Sequence, residues 1–329
     1  MNRAEQIANQ FTTLALPQRK LPVFDIQPVN DWMEAGSKIA APQMLFGSLW
    51  YTNELSVLFA GTGVGKTILA VQIAHLVSSG KSFGPFINQC KPQKVLYIDF
   101  ELTNKQFQIR YTDPDTGVMF RFSDNFLRAE INANDELSDE LIMAEIARAI
   151  ELTGATVVII DNITYLKSET EKGRNAQSLM RQLNDLKKSL GLSMLVLAHT
   201  PKRDESQPIL LTDLYGSAML GNFIDGAFAM GRSNRGRDHR YLKQLKCRSA
   251  ESTFAEHNVA LLEVGKWDSR MQFTFNDFGS EREHLRRHDE VKNEYVQMIQ
   301  DLHARGFSQK QIAREIGKSV GFVNKHLNR

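Results

Sequence analysis

Cysteine is almost missing from this chain: Cys90 and Cys247 are the only two among 329 residues, and no CxxC or Cys/His spacing accompanies them. That excludes a thiolate zinc site and a disulfide-stapled scaffold, and it fits a reducing compartment. No apolar run approaches the roughly 18 residues needed to span a bilayer, and the opening MNRAEQIANQFTTLALPQRK lacks the apolar centre of a signal peptide. A cytoplasmic location is therefore expected. Repeats and low-complexity tracts are also missing, which argues against solenoids and long disordered regions. Net charge is scarce too. Forty Lys and Arg against 38 Asp and Glu leave +2, too little for the whole-molecule field to select a partner, so any nucleic-acid contact must rest on a local patch.

What is present is an ordinary globular balance, 42% hydrophobic and 24% charged, in a chain long enough for one large core and a small appendage. Residues 1–48, interrupted by Pro17, Pro22, Pro28 and Pro42, read as an N-terminal arm with a short helix. From Leu55 the chain alternates. Near-continuous apolar strands at 55–60, 95–100, 156–160 and 193–198 are separated by helical patterns at 67–79, 137–153 and 175–190. Strands of that kind imply a mostly parallel sheet covered on both faces, an α/β core. Shorter strands at 226–230, 241–246, 258–263 and 271–275 extend it, giving a domain at 49–280. A charged stretch then leads into helical residues 288–329.

One loop carries clear chemistry. Ala60-Gly61-Thr62-Gly63-Val64-Gly65-Lys66-Thr67 fits the phosphate-loop pattern, with alanine in place of the first glycine, between an apolar strand and a helix. Glycines at 61, 63 and 65 let backbone N–H groups turn onto phosphates. Lys66 would reach the β/γ-phosphates of ATP, and Thr67 would offer its hydroxyl to Mg²⁺. The strand Val157-Val158-Ile159-Ile160 ends on Asp161, a second carboxylate for the metal.

These motifs resemble the RecA-like ATPases, in particular the branch of RepA-type hexameric plasmid helicases and related ATPases of mobile elements, over roughly Phe46–Ser249. The resemblance implies a RecA-like P-loop core and several site residues. Glu101, in Tyr97-Ile98-Asp99-Phe100-Glu101, matches the glutamate that activates water, with Asp99 as the rival carboxylate. His199, in Leu197-Ala198-His199-Thr200, matches a γ-phosphate sensor. Lys246 and Arg248, in Leu245-Lys246-Cys247-Arg248, match a Lys-x-Arg pair extended into a neighbouring subunit's site, which makes a homo-oligomer, of hexamer size in those helicases, a condition of activity. The polar loop 202–212 would then line a ring's central channel and meet single-stranded DNA.

The final segment is basic, with six Lys and Arg against Glu315 alone from His303 onward. Its pattern looks like a helix-turn-helix: Ser308 as N-cap, small Ala313, Gly317 at the turn, and Ile312, Ile316, Val320, Val323 and Leu327 on the packed face, behind an upstream helix at 291–305. Ser319, Phe322, Asn324 and Lys325 would face duplex DNA. Two functions follow from these readings: a Mg²⁺-dependent ring helicase or translocase acting on DNA in replication or mobilisation of a plasmid-like element, or an ATP-switched DNA-binding regulator without helicase activity. A KaiC-like ATPase acting on protein partners ranks third.

Overall fold

A computed structural model describes residues 25–130, 138–162, 174–201, 203–214, 222–286 and 288–327. Helix α1 (Val29–Ser37) precedes the core and buries none of its residues. The core strands and helices follow as β1 (Leu55–Ala60), α2 (Lys66–Ser79), β2 (Val95–Asp99), α3 (Asn104–Arg110), β3 (Phe126–Glu130), α4 (Asp139–Thr153), β4 (Val157–Asp161), α5 (Arg174–Leu190), β5 (Ser193–His199), β6 (Gly226–Arg232), β7 (His239–Lys246), β8 (Val259–Trp267) and β9 (Arg270–Gly279). A short α6 (Glu281–His284) leads to α7 (His288–Ala304), α8 (Gln309–Ile316) and α9 (Val320–Leu327).

All nine strands form one sheet in the order β3-β2-β4-β5-β1-β6-β7-β8-β9. The first six are parallel to one another, and β7, β8 and β9 continue antiparallel. Alternation along β1 explains its unbroken apolarity. Leu55, Val57 and Phe59 face one core, shared with α4 and α5, while Leu58 and Ala60 face another, shared with α2. Helix α2 has apolar residues all round because it is covered on both sides. On its outer side β9 packs so closely that a Cβ on Gly65, at φ +115°, would lie 2.8 Å from the Phe273 ring. Gln72 binds the Phe273 backbone twice, donating through Nε2 to its carbonyl (3.0 Å) and accepting its N–H at Oε1 (2.8 Å). The antiparallel extension thus fixes the helix that carries Lys66.

Three boundaries differ from those read in the sequence. Leu45 and Phe46, assigned above to the arm, are buried in the core, which begins near Met44; residues 1–24 of that arm lie outside the described residues. Residues 103–130, given no element in the sequence reading above, contain α3 and the edge strand β3. The charged stretch after β9 is no loose linker up to Arg286, since Glu281 and His284 are buried against the core.

At the C-terminal end, Ile299, Ile312, Ala313, Ile316 and Val323 make a small core of their own. Ser308 caps α8 as expected, with Gln311 completing a reciprocal cap. Gly317 takes the left-handed conformation at φ +58° that ends the helix. Val320 is 42% exposed and so does not join the packed face.

Candidate active site

Parallel strands present their C-terminal ends along one edge, where an open α/β sheet leaves room for a ligand. Four adjacent strands, β2, β4, β5 and β1, place there Glu101, Asp161 with Asn162, His199, and the loop 60–67. The cleft they border, about 510 Å³, is lined by Thr62, Gly63, Lys66, Thr67, Glu101 and His199 among others.

Lys66 is buried, and its ammonium donates to the carbonyls of Ala60 (3.0 Å) and Gly61 (3.2 Å) and lies 3.0 Å from His199 Nδ1. Burial lowers its pKa to about 8, with Glu101 and Asp161 resisting the fall. Because an ammonium only donates, Nδ1 of His199 is the acceptor, and the ring proton sits on Nε2. That nitrogen lies 3.2 Å from Glu101 Oε1. Asn162 donates its amide to the same carboxylate oxygen and comes within 3.0 Å of His199 Nε2. The His199 hydrogen bond holds the Glu101 carboxyl below its ordinary pKa, against the opposing effect of partial burial. Glu101 is thus an ionised base at neutral pH.

Asp99, the rival carboxylate, is fully committed to structure. Its Oδ1 accepts the backbone N–H groups of Glu101 (3.0 Å) and Leu102 (2.9 Å), and Oδ2 accepts Arg128 Nε (2.9 Å) from β3. It builds the turn that projects Glu101 into the cleft.

Asp161 is buried at the end of β4. Its Oδ2 accepts a 2.6 Å hydrogen bond from Tyr97, whereas Oδ1 is buried without a hydrogen-bond partner among the described residues. Burial raises its pKa to about 6; Tyr97 and the nearby Thr67 hydroxyl pull the other way. Thr67 does so without meeting hydrogen-bond geometry at Oδ1. An orphaned carboxylate oxygen beside a hydroxyl suits a hard cation such as Mg²⁺, which takes few protein oxygens and completes its shell with water and phosphate. No cluster of three or more His, Cys, Asp or Glu able to hold a metal occurs among the described residues, so such an ion would depend on the substrate's phosphates.

The AAA domain family matches residues 20–205. The chain belongs to the AAA domain family. A KaiC-like protein from the hyperthermophilic archaeon Pyrococcus horikoshii OT3 shares the fold at 14% identity, with a TM-score of 0.50 over 69% of this chain and 91% of that one. This AAA domain chain is accordingly a P-loop ATPase of RecA-like fold, and no helix among its described residues is long and apolar enough to cross a membrane.

Lys246 and Arg248 lie apart from this cleft. Lys246 pairs with Ala227, which faces Val57 near the start of β1, roughly 10 Å along the strand from Ala60, and it lies at the opposite edge of the parallel strands from the loop. Lys246 donates to the Ile224 carbonyl, and Arg248, beyond the end of β7, bonds Asp225 Oδ1 (3.0 Å) and the Asn222 carbonyl (3.2 Å). Neither can serve the site of its own chain. In the loop after β5, Lys202 falls outside the described residues, and Arg203 turns back to Asp213 at 3.3 Å instead of projecting outward.

In the C-terminal helices Ser319, Asn324 and Lys325 are exposed, as expected. Phe322 corrects the expectation: its half-buried ring packs edge-on against Tyr295 and His326, because the face it occupies closes the small core. Lys318, unusual at its position, places its ammonium 4.6 Å over the Tyr295 ring.

Sequence reasoning missed four residues at or beside the site. Arg110, at the end of α3, lines the nucleotide cleft, and its charge helps lower the Glu101 carboxyl. Asn162 had an available signal, since it directly follows a strand-ending aspartate. Arg240 donates from β7 to the Val64 carbonyl (2.8 Å), and Arg232 donates from β6 to the Thr62 carbonyl (3.2 Å). These last two hold the phosphate loop from strands whose neighbour in the sheet no local pattern reveals.

Proposed function

We propose that the chain is a Mg²⁺-dependent ATP hydrolase that acts on DNA as a ring-forming helicase or translocase of the RepA type, in the cytoplasm, for a plasmid-like element. The observation that carries the catalytic part is the convergence of Glu101, His199 and Lys66 on one cleft, with Asp161 and Thr67 beside them. Lys66 and the N–H groups of residues 61–67 would bind the β- and γ-phosphates. Asp161 and Thr67 would hold Mg²⁺, which when bound neutralises charge on those phosphates. Glu101 orients a water against the γ-phosphate and takes its proton. His199, hydrogen-bonded to both Glu101 and Lys66, is placed to register loss of the γ-phosphate.

A ring is supported by the position of Lys246 and Arg248. Two cations at the opposite end of the sheet from their own phosphate loop can stabilise transferring phosphate only in a neighbouring copy. Binding of duplex DNA is ascribed to the helix-turn-helix of α8 and α9, through Ser319, Asn324 and Lys325. That same unit favours a second reading, an ATP-switched DNA-binding regulator. Steady-state ATP hydrolysis by wild type and Lys66→Ala, with no DNA, single strands and duplex, alongside light scattering, separates the two. Stimulation by single strands and a hexamer-sized particle support the motor. Slow hydrolysis indifferent to single strands, with duplex binding lost on deleting residues 288–329, would leave the regulator.

A further inference from the structure

The segment joining the ATPase core to the C-terminal helices is clamped at several points. Glu281 is wholly buried; its Oε1 accepts the Ile209 N–H (2.7 Å) and its Oε2 pairs with Lys243, which also donates to the Ile209 carbonyl (2.8 Å). Asn234 holds the next turn through the carbonyls of Glu283 and Leu285, both at 3.0 Å. Arg286, two residues before α7, donates from Nη1 to Glu205 Oε2 (3.1 Å) and from its backbone to the Glu205 carbonyl (3.3 Å).

Glu205 lies in the loop that begins just past His199, and its other oxygen faces Arg232 Nε at 4.0 Å. Arg232 in turn grips the Thr62 carbonyl and would lie 3.5 Å from a Cβ on Gly63. The same side chains border a second cleft, of about 300 Å³, shared by Thr62, Glu205 and Arg232 with Tyr295 and Met298 of α7 and Ile316 of α8. A set of polar groups, hydrogen-bonded except at the 4.0 Å Arg232–Glu205 ion pair, where Arg232 Nε makes no hydrogen bond among the described residues, therefore runs from the apex of the phosphate loop to the root of the C-terminal helices.

We propose that Arg232 is a positioning residue of the phosphate loop, and that Thr62, Arg232, Glu205 and Arg286 together make the seating of α7–α9 depend on bound nucleotide. The inference rests on the ATP-binding reading above. Its physical basis is that the loop's N–H groups turn inward to phosphate while the Thr62 carbonyl is held from outside. Any tilt of that peptide on phosphate binding alters the bond to Arg232, and Glu205 divides its carboxylate between Arg232 and Arg286. Nucleotide then interacts differently with the two arrangements, which is the requirement for shifting an equilibrium between them.

Hydrogen exchange of the full chain, with and without a non-hydrolysable ATP analogue and Mg²⁺, tests this beside the analogue's Kd. In wild type, amides of α7–α9 should change their exchange rate by about threefold or more on saturation. Arg286→Ala should lose that response and still bind the analogue within about twofold of wild type, while Arg286→Lys, which keeps the charge, retains it. Arg232→Ala should raise the Kd by about three- to tenfold. A wild type that binds the analogue while α7–α9 exchange unchanged overturns this inference alone, as does an Arg286→Ala chain that keeps the response or an Arg232→Ala chain with wild-type affinity. No binding at all by wild type would instead remove the ATPase reading, and this inference with it.

Discussion

Glu101 Oε1 and His199 Nε2 lie 3.2 Å apart across the ends of β2 and β5, although 98 positions separate them in the chain. The contact holds the Glu101 carboxyl below its ordinary pKa, and Lys66, donating to the other ring nitrogen, sets the imidazole tautomer and ties both to the phosphate loop. A base, a sensor and a phosphate ligand thereby share one hydrogen-bonded system.

Removing the base should leave binding nearly intact and abolish chemistry. Glu101→Gln is expected to lower kcat by about 10²–10⁴-fold with little change in ATP affinity. Asp99→Asn, which breaks the Arg128 pair and the turn, should chiefly lower the melting temperature. Single-turnover hydrolysis and thermal denaturation of both variants check the division of labour. Equal losses of kcat without destabilisation would mean that the wrong carboxylate was chosen.

The parallel strands were legible because a strand covered on both faces has to be apolar throughout. For the same reason Asp161 and His199 stood out as polar residues at strand ends. Strand order was not legible, since nothing local in 226–279 says that β6 lies beside β1 or that Phe273 seals α2. Arg232 and Arg240 act on the site from those strands, and Arg128 from the edge strand β3, and all three were invisible in consequence. Glu281 read as linker charge because its partner Lys243 lies 38 positions earlier, on a strand whose facing loop the pattern does not disclose.

Burial leaves Lys66 with a pKa of about 8, and polyphosphate favours its charged form. Between that pKa and its ordinary value, the free protein has lost a proton that the complex retains. Nucleotide binding should then take up a proton and weaken as pH rises through 8, with no such dependence near pH 6.5 from this group. Calorimetry in two buffers of different ionisation enthalpy measures the uptake. Lys66→Ala should abolish it together with most of the affinity.

Asp161 has the opposite linkage. Its pKa, raised to about 6, means that the free site is protonated below that pH, whereas a bound cation requires the carboxylate. The Mg²⁺ concentration giving half-maximal hydrolysis should therefore climb as pH falls from 7 to 5. Asp161→Asn should abolish hydrolysis and stabilise the nucleotide-free protein slightly, because a buried charge with an unpartnered oxygen is removed. A pH-independent Mg²⁺ requirement over that range would count against Asp161 as the metal ligand.

Arg110 faces the same cleft from α3 and lowers the Glu101 carboxyl through its charge. A guanidinium so placed can reach substrate phosphate in its own chain, distinct from any cation supplied by a neighbour. Arg110→Ala should raise the KM for ATP by about three- to tenfold, the usual cost of one charged hydrogen bond. The defect should persist whether or not the chain assembles. Kinetics at concentrations above and below the assembly threshold distinguish it from Arg248→Ala, whose loss should appear only in assembled protein and be complemented by mixing with Lys66→Ala.

Phe322 and Lys325 sit in the same helix and should fail in different ways. Phe322 closes the small core with Tyr295 and His326, so Phe322→Ala should destabilise the C-terminal helices by about 1–3 kcal/mol, and any duplex affinity would drop as a result of unfolding. Lys325 is exposed. Its removal should leave helicity and melting unchanged while weakening duplex binding and reducing the slope of log K against log salt by about 1. Circular dichroism beside binding titrations at several salt concentrations reads both. If Lys325→Ala and Asn324→Ala bind duplex as wild type does, at every salt concentration, the helices serve another partner.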